Sequence, residues 1–170
     1  MSKELQIEFS KPLLHYPNLT VGDIQRSALT AHEKEVILAS LNNVKIQSIN
    51  LNGDSVCYNA LIEIIGRAIW ETGISTLTES EMNILLPIIV QEINDEHKDL
   101  TIEDIRIAFK YGVRKKYGEY YGINIATISV WLQSYTNITK REAMKRLSFI
   151  RVDDKNKELT EAEKNKHREI

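Results

Sequence analysis

RKKYGEYYGINIATISVWLQSY, from Arg114 to Tyr135, is the stretch on which the reading of this chain turns. Two helices joined by a tight turn need a small residue where they cross, a glycine at the turn, and apolar positions that lock the second helix onto the first. With Gly122 as the turn glycine, Gly118 falls at the crossing position. Tyr117 and Tyr121 then face inward from the first helix, and Ile123, Ile128 and Trp131 face inward beyond the turn. The spacing therefore predicts a helix-turn-helix-like unit over 114–135.

This unit resembles a DNA-reading helix-turn-helix, in which the second helix enters the major groove. The outward positions of its second helix are Asn124, Ile125, Ala126, Ser129, Val130 and Gln133. Of these, Asn124, Ser129 and Gln133 carry side chains able to hydrogen-bond base edges. Ile125 and Val130 either touch thymine methyls or pack on another protein. The same residues also suit a plain helical hairpin within an all-helical core.

The wider stretch from Leu100 to Arg151, with its YGEYYGIN-x-x-T-x-x-x-W-L-x-x-Y core, is similar to small helical proteins encoded by phages and mobile elements of Bacteroidetes-type bacteria, often near replication genes. The resemblance implies a phage or mobile-element origin and a replication-region setting. It implies no catalytic residues.

Charge is distributed unevenly along the chain. The net formal charge is −2, but residues 1–105 carry seven Lys/Arg against sixteen Asp/Glu, and residues 106–151 carry ten against two. A basic block of this kind is the electrostatic footprint of phosphate binding, because each neutralised phosphate releases condensed counterions. The alternative is that the acidic half neutralises the basic half, within one molecule or between copies.

At 170 residues and 42% apolar content, the chain is long enough for one compact domain with its own core. Its one cysteine, Cys57, excludes an intrachain disulfide and a cysteine-based metal site, and favours a reducing compartment. The N-terminus lacks a basic segment followed by an apolar run, and the apolar run from Ile84 to Val90 is too short to cross a bilayer. The expected location is the host cytoplasm or the inside of a phage particle.

Residues 1–29 hold Pro12 and Pro17, which predicts an extended arm. From Thr30 onward the chain repeats a capping-box pattern, in which a threonine caps a helix and an acid three residues later reaches back. Thr30 with Glu33, Thr78 with Glu81, Thr101 with Asp104, Thr139 with Glu142 and Thr160 with Glu163 all fit. Together they predict an all-α domain of six or seven helices over 30–151, followed by a charged tail over 152–170.

The first helix is expected from Ala31 to Asn42, with Val36, Ile37 and Leu41 inward, and the segment 44–54 is read as loop. The second follows Asp54 and stops at Gly73, burying Val56, Leu61, Ile64, Ile65, Ala68 and Ile69. The third, Glu79 to Lys98, is apolar enough in its first half for a central buried helix and contains Pro87, where it is expected to bend. The fourth, Ile102 to Lys115, sets Ile105, Ala108, Phe109 and Val113 against Arg106, Lys110 and Arg114. A last helix, Thr139 to Ile150, turns Ala143, Leu147 and Ile150 inward and Lys140, Arg141, Lys145 and Arg146 outward.

No phosphate-cradling GxxxxGK[ST] loop is present, the four histidines lie far apart, and no serine sits in a nucleophile elbow. The sequence thus points away from an enzyme and requires no cofactor or metal. Its leading reading is a DNA-binding phage or mobile-element protein, such as a replication accessory or helicase-loader-like factor. Arg114, Lys115, Lys116, Lys140, Arg141, Lys145 and Arg146 would hold phosphates, while Asn124, Ser129 and Gln133 approach bases. Tyr111 and Tyr120 are the tyrosines expected to be free for base stacking. The alternatives are a structural or interaction protein, such as a phage-particle or ring subunit with partner contacts through the acidic half, and a small inhibitor of a host enzyme.

Overall fold

The structure, a computed structural model, describes residues 19–41, 46, 55–73 and 78–150. The proline-rich part of the arm, the segment around Asn52-Gly53, the Thr160 cap and the charged tail lie outside the described residues, as does the Cys57 side chain. The fold is all-α, and among the described residues there is no strand. Its elements are α1 (Val21–Arg26), α2 (Ala31–Leu41), α3 (Ser55–Thr72), α4 (Glu79–Glu96), α5 (Ile102–Val113) and α6 (Ile125–Ser134). A π-helical turn (Tyr135–Lys140) follows α6 and leads into α7, helical over 141–150. None of the described helices is long and apolar enough to cross a membrane.

Three expected capping boxes form. Thr30 and Glu33, Thr78 and Glu81, and Thr101 and Asp104 exchange side-chain and backbone hydrogen bonds in both directions. Each satisfies two backbone donors that the first helical turn leaves without partners. A fourth box, Thr20 with Asp23, starts α1 inside the range expected to be extended. Proline governs only its own neighbourhood, and three residues beyond Pro17 this cap is strong enough to hold a short helix whose Ile24 is fully buried. Thr139 with Glu142 starts no helix, because Thr139 lies inside the π turn and its hydroxyl meets that of Tyr117 at 3.0 Å.

The described residues gather into two compact units. One comprises α1, most of α2 and α7, with Ile24, Leu29, Val36, Ile37, Ala143, Met144 and Leu147 buried. Within it, Lys34 donates to the Gln25 carbonyl at 2.7 Å, and Arg146 approaches Glu33 at 3.8 Å.

The other unit is built on α5, which packs against α3 and α6, while α4 packs against the same two helices. Ile105, Ala108 and Phe109 are buried as expected, and Ile107, Tyr111 and Gly112 are buried with them. Helix α3 buries Leu61, Ile64, Ile65, Ala68 and Ile69 and stops at Gly73, which takes the left-handed φ of +62° that favours glycine. Two expectations fail here. Val56 is exposed, since it stands in the first turn of α3, and α4 is not buried all round but shows Ile84 and Ile88 to solvent on one stripe.

The helix-turn-helix register over 114–135 also fails. The first helix of the predicted unit does not form: α5 ends at Val113, and residues 114–124 are irregular. The stop is a Schellman motif, in which the Lys116 amide donates to the Tyr111 carbonyl at 3.0 Å and the Lys115 amide donates to the Gly112 carbonyl at 2.9 Å. Gly118 has φ +107°, outside any helix, and Tyr121 is 98% exposed. The close crossing exists six residues earlier, where Gly112 of α5 lies under the Trp131 indole of α6. The result is a helix, an eleven-residue loop and a helix, with Ile128 and Trp131 inward as expected.

Candidate nucleic-acid interface

Trp131 organises this region. Phe109 and Tyr120 meet its ring edge-on, at centroid distances of 5.6 and 5.1 Å. The Tyr120 hydroxyl donates to the Val113 carbonyl at 3.0 Å, folding the loop back onto the end of α5. Between the 117–122 loop and α6 lies an open, mostly apolar groove of about 380 Å³, walled by Tyr117, Tyr120, Tyr121, Thr127, Val130 and Trp131. Burial pushes the Tyr117 and Tyr120 hydroxyls above the usual tyrosine range, so both stay protonated and able to donate.

The cations predicted to hold phosphates fall into two groups. Arg114, Lys115 and Lys116 sit together on the turn that leaves α5, and all three are exposed. Lys115 donates to Glu119 at 2.6 Å, and this hydrogen bond, with the carboxylate charge, holds its ammonium above the usual lysine range. Lys116 lies over the buried Tyr111 ring at 4.3 Å, a cation–π placement. Among the described residues, neither Arg114 nor Lys116 has a carboxylate partner. Lys140, Arg141, Lys145 and Arg146 belong to the other unit, with Arg141, Lys145 and Arg146 exposed and Lys145 over the Phe149 ring at 6.0 Å.

The predicted base readers lie along α6 and make local hydrogen bonds there. The Asn124 side chain accepts from the Thr127 amide at 2.9 Å and so caps α6, and Gln133 donates to the Ser129 hydroxyl at 3.3 Å. The expected stacking residues also change. Tyr111 is buried and Tyr120 is held against Trp131, whereas Tyr121, assigned from spacing to the core, stands in solvent. The doubled tyrosine between Gly118 and Gly122 carried that signal once the segment is read as a loop.

Lys115 has φ +58°, a left-handed conformation that costs a non-glycine residue on the order of 1 kcal/mol. Lys115→Gly is therefore expected to stabilise the protein by about 0.5–1 kcal/mol, read as a rise in melting temperature. A fall would mean that the exposed pair with Glu119 outweighs the relieved strain.

Among the described residues, no three His, Cys, Asp or Glu side chains converge as metal ligands. No family model, curated protein or solved structure matches the chain.

Proposed function

We propose that this chain is a non-enzymatic DNA-binding protein that holds the phosphate backbone through the basic residues of its last third. The observation that supports this reading most directly is the run Arg114-Lys115-Lys116, exposed on one turn, in which Lys115 alone meets a carboxylate among the described residues. The chain-wide excess of ten Lys/Arg over two Asp/Glu across 106–151 supports it further. The phage or mobile-element setting suggested by the 100–151 stretch belongs to the same proposal.

A gel-shift or anisotropy titration on single-stranded and duplex DNA at about 50 mM salt tests the reading, and binding is expected to weaken steeply as salt rises. The paired reversals Arg114→Glu with Lys116→Glu, and Lys140→Glu with Arg141→Glu, separate the two cation groups. Each is expected to flatten the salt slope, by roughly 0.7–0.9 for every phosphate left without its cation. No binding to either form of DNA at low salt overturns the proposal.

A second reading, a protein-interaction or structural subunit, is favoured by exposed apolar side chains on α3 and α4. Trp70 is 80% exposed, and Val56, Ile84 and Ile88 are exposed as well. Sedimentation separates the two: a ring or higher oligomer indifferent to DNA favours the subunit.

A further inference from the structure

We infer that the groove between the 117–122 loop and α6 receives an unpaired base of single-stranded nucleic acid, stacked on Tyr121, while Arg114 and Lys116 hold the adjoining phosphates. The inference rests on the DNA-binding reading and specifies its strandedness, which the sequence leaves open.

Polar groups of the groove are largely committed to hydrogen bonds within the protein. Asn124 caps α6, the Thr127 hydroxyl donates to the Gly122 carbonyl at 2.8 Å, and the Tyr117 and Tyr120 hydroxyls meet Thr139 and Val113. What the groove offers a ligand is therefore aromatic and aliphatic faces, chiefly Tyr121, Val130 and the Tyr120–Trp131 pair. Such surfaces stack on a base face and read no base edge, so they tolerate sequence. A base inside a duplex has both faces covered by its neighbours and cannot enter.

Tyr121 is the wall residue placed for this role. It is 98% exposed and has no hydrogen bond or ring contact among the described residues. The cations stand immediately before the groove in the chain, because Arg114, Lys115 and Lys116 lead directly into Tyr117 and Gly118. Glu119, the groove's carboxylate, is engaged by Lys115 at 2.6 Å, which offsets its repulsion of a phosphate. An aromatic wall beside a cluster of cations is the pairing that single-strand binders use.

The test uses the full chain, a fluorescent twenty-nucleotide oligo(dT) and a duplex of equal length. The oligo(dT) is expected to bind more tightly than the duplex. Tyr121→Ala is expected to weaken oligo(dT) binding by about five- to a hundred-fold, with duplex binding and melting temperature unchanged. Tyr121→Phe, which keeps the ring, is expected to restore the affinity. If Tyr121→Ala leaves oligo(dT) binding at the wild-type level while both DNAs still bind, the groove assignment fails and the DNA-binding reading stands. If neither DNA binds the wild-type chain, the reading beneath it fails. An acidic, aromatic peptide that binds in a Tyr121-dependent way where oligo(dT) does not overturns the inference in favour of a protein partner.

Discussion

Gly112→Ala is expected to lower the melting temperature by roughly 5–10 °C, whereas Gly66→Ala raises it by roughly 1–4 °C. Both glycines lie inside helices, Gly66 in α3 and Gly112 in α5. Alanine is the better helix former by about 0.5–1 kcal/mol, so helix propensity alone predicts a gain at both. The space around each position separates them. A Cβ at Gly66 meets nothing within 4 Å, but one at Gly112 falls 2.1 Å from Trp131 Cδ2 and 2.5 Å from its Cγ. That ring is 1% exposed and braced by Phe109 and Tyr120, so it cannot swing aside without disturbing both. Overpacking of this kind costs about 1–3 kcal/mol and at times more, enough to reverse the propensity gain. A smaller side chain at 131 should relieve the clash, so the costs of Gly112→Ala and Trp131→Leu should sum to more than the cost of the pair together. A Gly112→Ala protein as stable as wild type would remove the α5–α6 crossing described above.

The same crossing marks the limit of what the sequence reveals. Capping is local chemistry between residues three apart, and it is legible wherever a threonine precedes an acid at that spacing. Thr30, Thr78 and Thr101 therefore announce α2, α4 and α5 correctly. The Thr20 box carries the same signal, hidden behind nearby prolines. The end of α5 carries no such mark, because the left-handed residue that stops it is Lys115, where glycine is the usual choice. Without that stop the spacing of Tyr117 and Tyr121 looks helical, and the crossing glycine is sought at 118 instead of 112. What selects Gly112 is contact with an indole nineteen positions along the chain, a tertiary fact with no local signature.

The candidate site follows the same division. The cation run at 114–116 is legible as composition, but its partners are not. The pairing of Lys115 with Glu119, the engagement of Asn124 as a cap and the exposure of Tyr121 all depend on the chain being a loop there. The first helix of the unit is replaced by a loop, and an aromatic groove forms between that loop and α6, which itself spans Ile125–Ser134 with Ile128 and Trp131 inward as expected.

Asp104→Ala is expected to cost about 2–4 kcal/mol, because this one carboxyl serves two elements. Asp104 is fully buried; it accepts from the Thr101 amide at 3.0 Å as the return half of the α5 cap, and from the Tyr135 hydroxyl at 2.5 Å. Thr101 extends the chain of bonds, donating from its hydroxyl to the Ala39 carbonyl at 3.2 Å. Loss of the return half of the capping box, with the Thr101 hydroxyl still accepting from the residue 104 amide, accounts for about 1 kcal/mol. Loss of the Tyr135–Asp104 hydrogen bond, in which both residues are fully buried, adds about 1–3 kcal/mol. Tyr135→Phe removes the donor instead and is expected to cost about 1.5–3 kcal/mol. The double variant separates shared from independent effects. Each single variant loses the one bond the two residues share, so the double variant counts that loss once and its cost should fall short of the summed single costs by about 1 kcal/mol or more. Additive costs in denaturant titrations would mean that Tyr135 and Asp104 act separately. A shortfall would tie the start of α5 to the first residue of the π turn, across the core that also positions Trp131 beneath the groove.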